Sequence, residues 1–303
     1  MSEDRLSPLP LPSLPDGVHF AVGSGVFGNL EPEHVALVAA LGFPGIEPYR
    51  GMVMPYVEQP QMLKDLLDRH GVAMATCSNG GPGQATDFID PAMRQRTIDD
   101  HVAFARDFLT VFGCQHFKIN MGSRPPHGPS AADLHAIADT LNELGRRTAA
   151  FGIRLAPHPH IWGPVERPEE VRTLLELTDP DYVSLTLDTA HILLGGGDPM
   201  EFLTDHYDRI AALHWKDTEA RYRGYTGPTP TRAMHDEKIL YKDLGTGGVD
   251  LPAVWQLVRE RGYRYWITLD LDPPRPQEGE GTAEEKLRIN RQYLLEDLHV
   301  GKL

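Results

Sequence analysis

The sequence predicts an α/β protein that folds as a single (β/α)₈ barrel (a TIM barrel), with an extended N-terminal arm and a long loop after the seventh strand. Three observations predict this fold. Short apolar segments alternate with amphipathic helical segments from residue 18 to the C-terminus. Eight such pairs in strict alternation indicate parallel strands joined by right-handed crossovers. No repeat and no break marks a second domain, so we assign residues 1–17 to the arm and 18–303 to the barrel.

The predicted strands are short, and several are continuous apolar runs, as expected where helices cover both faces of a sheet. In chain order they are residues 18–22, 43–47, 72–78, 115–120, 153–157, 183–188, 211–216 and 265–270. The predicted helices follow them at residues 31–41, 56–70, 91–112, 131–151, 168–177, 199–209, 251–261 and 283–298. Several of these helices begin with proline, whose missing N–H costs nothing in a first helical turn.

Two segments lie outside this alternation. The arm, residues 1–17, is rich in proline and lacks the charged-then-apolar layout of a signal peptide, so we expect a cytoplasmic protein whose arm packs on the surface or stays disordered. The connection 217–249 is the longest in the chain and is rich in Tyr, Gly, Pro, Arg and Lys. Long ordered loops in compact domains are usually functional, so this connection is predicted to be a lid.

The composition narrows the classes of partner. Lys and Arg total 29 and Asp and Glu total 43, which gives a formal net charge of −14. An acidic surface repels phosphate backbones, so nucleic acid is not expected as a partner. No segment approaches the ~20 apolar residues of a membrane helix, so no membrane association is expected. Cys77 and Cys114 are the two cysteines, and we expect both to be reduced core residues.

Polar side chains stand where the predicted strands end, and in this fold the loops after the strands form the active face. These residues are Glu47, His116, Lys118, Asn120, His158, His160, Asp188, His191, His214, Lys216 and Asp270. Imidazoles and carboxylates that converge from neighbouring strands can enclose a divalent ion, and this mixture suits Mn²⁺, Zn²⁺, Co²⁺ or Fe²⁺. Asp188, His214 and Asp270 carry this prediction. The expected substrate-binding residues are His160, His191, Lys118, Lys216 and Asn120.

Five stretches of the C-terminal half carry a family resemblance. They are HPHIWGPVERPEEVRTLLELTDP (158–180), LDTAHILLGGGDP (187–199), LHWKD (213–217), LGTGGVDLPAVW (244–255) and GYRYWITLDLD (262–272). In this order they resemble the xylose-isomerase-like barrel superfamily of sugar isomerases and epimerases, and within it the inosose dehydratase branch. The resemblance implies that Asp188, His214 and Asp270 occupy metal-ligand positions and that the ligand position on strand five falls on His158.

The sequence departs from this family pattern at two positions. Many isomerases and epimerases of the superfamily have Glu on strands five and eight, as ligands and as a pair of acid–base groups. Here these positions hold His158 and Asp270. A His on strand five also occurs in the dehydratase-like branch. The resemblance further implies that the chain forms a homo-oligomer.

The predicted function is that of a divalent-metal-dependent isomerase or epimerase of a sugar, sugar phosphate or cyclitol. The ion would stabilise the enediolate that forms when a base removes the proton next to a carbonyl. His158, Asp270 and Glu47 are the predicted catalytic residues, and His160 is a further candidate base. Arg124, Arg221, Arg223 and Arg232 lie in active-face loops and are candidates to bind a phosphate. The alternative is an inosose-type dehydratase, a lyase that uses the same first step.

Three further readings stay open. Residues 23–28 match G-x-G-x-x-G after an apolar strand, and Glu47 follows at the distance of a ribose-binding acid, which is typical of an NAD-dependent oxidoreductase. That reading leaves the His and Asp residues of strands five to eight without a role. A phosphodiesterase of the abasic-site type shares the superfamily barrel, but the charge of −14 disfavours DNA binding. The third reading is a sugar-binding barrel without catalytic activity.

Overall fold

Parallel strands form a ring in the computed structural model, which describes residues 7–81 and 86–303. The strands are β1 His19–Gly23, β2 Gly45–Glu47, β3 Ala73–Met74, β4 His116–Ile119, β5 Arg154–Pro157, β6 Leu185–Asp188, β7 Ile210–Trp215, β8 Asp217–Thr218, β9 Tyr241–Lys242 and β10 Trp266–Leu269. Six of them pair in the order β3-β2-β1-β10-β7-β6, and β4 pairs with β5. A bridge between Leu155 and Val183 joins β5 to the segment before β6. The predicted (β/α)₈ barrel is confirmed.

The third predicted strand is the least accurate. Residues 72–78 were expected to form it, but regular pairing covers only Ala73–Met74. Beyond Met74 the segment is held by single contacts, in which the Thr76 hydroxyl donates to the backbone carbonyl of His116 and Ser78 bridges to Tyr49. The chain therefore stays extended beside β4 without a continuous ladder.

Helices cover the outside of the ring. They are α1 Pro32–Ala40, α2 Arg50–Val53, α3 Pro60–His70, α4 Arg94–Asp107, α5 Ala131–Thr148, α6 Pro168–Leu177, α7 Thr189–Leu194, α8 Pro199–Asp205, α9 Arg232–Glu237, α10 Leu251–Glu260 and α11 Ala283–Gln292. Five of them have proline in the first turn, as predicted from the missing N–H of proline. Within the described part of the chain, no helix combines the length and the apolar character needed to cross a bilayer.

The N-terminal arm packs against the end of the barrel where the strands begin. The N–H of Leu9 donates to the Asp181 carbonyl at 3.2 Å, and Ser13 exchanges hydrogen bonds with the Gln115 side chain at 3.1 and 3.0 Å. Arg154, the first residue of β5, donates to the Leu9 and Pro10 carbonyls. The described part of the arm is therefore packed on the surface, whereas residues 1–6 lie outside the described residues.

The glycine-rich segment after β1 forms the first turn of the barrel. Residues Ser24–Phe27 make a short 3₁₀ helix, and Gly28 follows with φ of 76°. A Cβ on Gly23 would lie 3.0 Å from the carbonyl oxygen of Leu269 in the neighbouring strand β10, so close strand packing accounts for this glycine. Dinucleotide-binding folds place such a motif in an open sheet, whereas here β1 is paired on both sides inside the ring.

Candidate metal centre

Four side chains from neighbouring strand ends converge at the C-terminal end of the barrel. They are His158 after β5, Asp188 at the end of β6, His214 in β7 and Asp270 after β10. All four residues are buried, and one donor atom from each lies within 4.8 Å of the others. The Nδ1 atom of His214 lies 3.2 Å from Asp270 Oδ2, and the Nε2 atom of His158 lies 3.8 Å from Asp188 Oδ2. The structure thus brings together the four residues named above as metal ligands.

Two atoms of this cluster are buried without a hydrogen-bond partner among the described residues, namely His158 Nε2 and Asp188 Oδ2. A buried polar atom that lacks a partner costs about 1–3 kcal/mol and more when it is charged, so native structures rarely keep one without a reason. Both atoms point into the same cluster. Two imidazole nitrogens and two carboxylate oxygens are a donor set that suits a divalent transition metal, and donors 3.2–3.9 Å apart can share an ion about 2 Å from each.

Glu47 supports the cluster from behind. Its oxygens lie 3.0 and 3.1 Å from His214 Nε2, and they also contact the Thr268 hydroxyl at 2.7 Å and Lys118 Nζ at 3.2 Å. Burial alone would raise the pKa of Glu47, but the contacts with His214, Lys118 and Thr268 outweigh it and hold that pKa far below its usual range. The carboxylate therefore keeps the proton of His214 on Nε2 and leaves the Nδ1 lone pair for the cluster.

A cavity of about 320 Å³ borders the cluster through two of its four residues. His158 and Asp270 form part of its floor, whereas Glu47 does not line it. All five residues predicted to bind substrate line this cavity: Lys118, Asn120, His160, His191 and Lys216. His116 does not, because its side chain is buried inside the barrel, where its Nδ1 lies 3.2 Å from the Tyr265 hydroxyl.

The cavity lining includes two buried ammonium groups, those of Lys118 and Lys216, and the neutral imidazoles of His160 and His191. Burial alone would lower the pKa of Lys216, but the carboxylates of Asp270 and Asp272 outweigh it and raise that pKa above its usual range. Lys216 Nζ donates to Asp272 Oδ1 at 2.6 Å and to the Asp270 carbonyl at 3.0 Å. Burial lowers the pKa of both His160 and His191, so each imidazole is neutral near pH 7. The site therefore offers a strong hydrogen-bond donor beside groups able to accept a proton.

The protonation of His160 follows from its neighbours. Its Nδ1 lies 2.9 Å from the backbone carbonyl of Ile161, and its Nε2 lies 2.5 Å from the side-chain amide of Asn120. A carbonyl oxygen only accepts, so the proton of the neutral ring is on Nδ1 and the lone pair is on Nε2. The Asn120 atom placed beside Nε2 is Oδ1, so the amide must turn by 180° to present its NH₂ group to that lone pair; the two ends of such an amide are assigned from the hydrogen bonds around them.

The connection 217–249 contributes the outer wall of the cavity. It contains the antiparallel pair of β8 and β9 and the short helix α9. Its cavity-lining side chains are Arg232, His235 and Tyr241. The placement over the cavity agrees with the predicted lid, although His235 and Tyr241 were not named as site residues. The carboxylate of Asp217 fixes the base of the lid by accepting from the backbone N–H groups of Gly245, Gly247 and Val249 at 3.0 Å each.

Aromatic residues of the loops complete the cavity, and the sequence analysis did not find them. Tyr49 follows β2, and Trp162 lies in the loop after β5. Trp162 has φ of 68°, an unusual value for a residue with a side chain, and it is held by hydrogen bonds from its backbone N–H to Glu166 and from its indole N–H to the Pro230 carbonyl. The second bond ties this loop to the lid. In the sequence, Trp162 could have been found because it is an aromatic residue two positions after His160.

The four arginines considered for anion binding have different surroundings. Arg124 forms ion pairs with Glu166 at 3.1 Å and Glu170 at 2.8 Å. Arg221 pairs with Glu219, and Arg223 donates to the Gly247 carbonyl. Arg232 is the one of these four that lines the cavity.

A larger cavity of about 540 Å³ lies at the outer rim, between α6, α8 and the start of α10. Its lining includes Arg172, Glu201 and Arg223, and none of the four clustered donors. Arg172 and Glu201 form an ion pair with each other. We place the chemistry in the smaller cavity, because His158 and Asp270 of the cluster line it together with the buried side chains of Lys118 and Lys216.

Comparisons with known proteins agree with this architecture. The sequence model of the xylose isomerase-like TIM barrel family matches residues 35–293. The inosose dehydratase of Bacillus velezensis is 29% identical over 260 residues, which cover 81% of this chain and 82% of that protein. The inosose dehydratase of Lacticaseibacillus casei is 30% identical over 137 residues, or 45% of this chain and 46% of that protein, so this match spans about half of the relative.

A solved structure has the same fold. The crystal structure of the IolI protein with a bound zinc atom superposes with a TM-score of 0.74 at 17% identity, and the match covers 94% of this chain and 99% of that one. This likeness confirms the barrel. The dehydratase names of the sequence relatives agree better with the lyase alternative than with the isomerase or epimerase activity that was the first prediction.

Proposed function

We propose, from the premise that the chain belongs to the xylose isomerase-like TIM barrel family, that it is a metal-dependent dehydratase of a polyhydroxylated cyclic ketone. The observation that carries the proposal is the pair of buried, partnerless donor atoms, His158 Nε2 and Asp188 Oδ2, in a four-residue cluster of which His158 and Asp270 line a polar cavity. The inosose dehydratases that align with most or part of the chain support the reaction class. Sugar and cyclitol chemistry also agrees with a cavity lined by imidazole, amide and ammonium groups.

His158, Asp188, His214 and Asp270 would hold the ion in this proposal. Two neutral imidazoles and two carboxylates leave the choice among Mn²⁺, Zn²⁺, Co²⁺ and Fe²⁺ open. When bound, a divalent ion supplies Lewis-acid stabilisation of negative charge on a substrate carbonyl oxygen. His158 and Asp270 then act as ligands, and Glu47 is a positioning residue for His214 rather than a base, because both of its oxygens are already engaged.

His160 is the proposed proton acceptor. Its Nε2 lone pair lies at the cavity, and Asn120 can turn its amide towards a substrate hydroxyl when the substrate enters. The proton on the carbon next to the carbonyl moves to Nε2, and its electron pair forms the carbon–carbon double bond as the C–O bond to the leaving hydroxyl breaks. The hydroxyl takes the same proton back from His160 and leaves as water, so the atoms balance and the imidazole is restored.

Lys216 and His191 are the proposed substrate-binding groups on the other side of the cavity. The Lys216 ammonium is held by Asp272 and the Asp270 carbonyl, and an ammonium has a third N–H available for a substrate oxygen. His191 Nδ1 lies 3.3 Å from the Tyr241 hydroxyl, so its ring is oriented by the lid. Lys118 is held by Glu47 and would bind a hydroxyl near Tyr49, whose ring centroid lies 5.5 Å from its Nζ.

Isomerisation or epimerisation is the second candidate, because it begins with the same proton transfer. A two-carboxylate epimerisation needs an acid–base group on each side of the reacting carbon. The strand-five position holds His158 instead of a carboxylate, and its Nε2 faces Asp188 within the cluster. This arrangement favours removal and return of the proton by one group, which agrees with elimination of water.

The test is the conversion of 2-keto-myo-inositol, an inosose, followed by NMR in D₂O with the protein as purified. We expect an unsaturated product formed with loss of water, and turnover lowered about 1,000-fold in the Asp188→Asn variant. Asp198→Asn is the matched control, because Asp198 caps α8 outside the cavity and donates no atom to the cluster. Deuterium exchange into a recovered ketose without loss of water would contradict the dehydratase and favour the isomerase.

A further inference from the structure

The charge of the active cavity indicates the kind of substrate that it accepts. We infer that the substrate carries one carboxylate group and that Arg232 binds this group at the mouth of the cavity. The inference rests on the proposed function, because it takes the four-residue cluster to hold a divalent ion. It goes further by naming the charge class of the substrate and a residue that selects it.

The charged groups of the site balance one another except for one. Among the described residues they comprise four carboxylates and three cations: Glu47, Asp188, Asp270, Asp272, Lys118, Lys216 and Arg232. Lys118 pairs with Glu47 at 3.2 Å, and Lys216 pairs with Asp272 at 2.6 Å. A divalent ion in the cluster would add two positive charges beside Asp188 and Asp270, and Asp270 Oδ1 also lies 3.6 Å from Lys216 Nζ. Arg232 remains as a cation of the cavity that no carboxylate of the described chain pairs with.

The surroundings of Arg232 fix its guanidinium at the mouth. Arg232 begins α9 in the lid, and its guanidinium carbon lies 4.5 Å from the centre of the Trp162 ring. Trp162 is itself tied to the lid by the hydrogen bond from its indole N–H to Pro230. An arginine stacked on an aromatic face keeps its N–H edge free, and that edge matches the two oxygens of a carboxylate.

A carboxylate fits this charge better than a phosphate does. A single unpaired cation neutralises one negative charge, whereas a phosphate monoester carries about −1.5 to −2 near pH 7. The other two cations of the cavity are already paired with Glu47 and Asp272. A neutral cyclitol would offer no negative charge to pair with the Arg232 guanidinium. A hydroxylated ring that bears one carboxylate satisfies both the polar floor and the cationic mouth.

Calorimetric binding to the metal-loaded protein tests the inference without relying on turnover. The probes are shikimate, its neutral methyl ester and the 3-phosphate of that ester, which share one hydroxylated ring and carry a carboxylate, no charge and a phosphate in turn. We expect shikimate to bind about fivefold to tenfold more tightly than the ester, as a partly solvated bidentate pair allows. In the Arg232→Gln variant this preference falls to less than twofold, while the affinity for the ester is unchanged. Arg221→Gln, a lid arginine paired with Glu219 and outside the cavity lining, keeps the preference.

The contradicting outcomes separate this inference from the proposed function. Equal affinity for acid and ester, or a preference that survives Arg232→Gln, overturns the role of Arg232 while the polyol site stands. Tighter binding of the phosphate than of the carboxylate overturns the assignment to one negative charge. Binding of none of the three probes, or binding that Asp188→Asn leaves intact, overturns the metal-dependent polyol site and the inference with it.

Discussion

The two ends of the barrel treat their buried polar groups in opposite ways. At the end where the strands begin, the buried guanidinium of Arg154 donates to the carbonyls of Leu9, Pro10 and Pro180 and to the Ser184 hydroxyl. At the end where the strands finish, His158 and Asp188 each keep an atom without a partner among the described residues. The same sheet positions both ends. At one end the three nitrogens of the Arg154 guanidinium all donate hydrogen bonds that stabilise the fold, and at the other end His158 and Asp188 leave ligand atoms open.

The largest expected effect is on catalysis, from Asp188→Asn. The asparagine oxygen can still cap α7 by accepting from the His191 N–H, but it removes one negative charge from the cluster. We expect turnover to fall about 1,000-fold, a loss of about 4 kcal/mol of transition-state stabilisation. The metal-free variant unfolds at the same or a higher temperature than the metal-free parent, because a buried charge without a partner is gone. A clear loss of stability in the metal-free variant would contradict the view that the Asp188 carboxylate lacks a partner when no ion is bound.

The corresponding change at the end where the strands begin is Arg154→Met. It leaves three carbonyls and one hydroxyl without their donor, so we expect the free energy of unfolding to fall by about 4 kcal/mol in urea titrations. Metal content and the ratio kcat/KM per folded molecule stay unchanged. Arg288→Met on the exposed face of α11 is the control and should change stability by about 0.5 kcal/mol or less. An Arg154→Met protein as stable as its parent would remove the contrast between the two ends.

Measuring stability as a function of pH tests a buried imidazole that belongs to neither of these two groups of residues. Burial lowers the pKa of His101 to about 4, and its ring is held by the Thr97 carbonyl and the Asn79 amide. Because the folded pKa lies below the unfolded value of about 6.5, the stabilisation is fully present above pH 6.5 and is lost as the pH falls towards 4. The loss amounts to about 3 kcal/mol.

Replacement of His101 by Gln isolates this contribution. The variant keeps a hydrogen-bonding side chain but does not titrate, so stability measured in urea at pH 7.5, 6, 5 and 4.5 should depend less steeply on pH. Part of the slope persists, because burial also lowers the pKa of His116 to about 4. An unchanged slope would show that His101 does not titrate with a lowered pKa.

The smallest expected effect comes from Trp162→Phe. Phenylalanine keeps an aromatic face under Arg232 and loses the hydrogen bond from the indole N–H to Pro230. We expect a loss of about 1 kcal/mol in closure of the lid, seen as faster hydrogen exchange of lid amides and a KM raised about fivefold, with global stability nearly unchanged. If lid exchange stays at the parent rate, Trp162 does not hold the lid.

The sequence was sufficient to predict residues at strand ends, because in a barrel every strand end reaches the same face. This rule grouped Asp188, His214 and Asp270, and the family resemblance added His158. The position of a loop side chain depends instead on tertiary contacts that no local pattern encodes. Tyr49 and Trp162 were missed for this reason.

For other residues the sequence predicted the position in the fold but not the chemical role. The catalytic role predicted for Glu47 stays a prediction, and the sequence did not show its partners, because they depend on β2 and β10 flanking β1, which brings Thr268 and His214 within reach. The helices α7 and α9 span six residues each and are too short for a periodic signal. Dehydration and isomerisation begin with the same proton transfer, so the residue types alone did not separate them.

The most direct test of the metal centre is the metal content of the purified, untagged protein, measured by elemental mass spectrometry beside Asp188→Asn and Asp198→Asn. The account predicts about one tightly held Mn, Fe, Co or Zn per chain in the parent and in Asp198→Asn, and a loss of that ion in Asp188→Asn. A parent that holds no ion after loading with Mn²⁺ or Zn²⁺, or an Asp188→Asn variant with undiminished metal content, would contradict it.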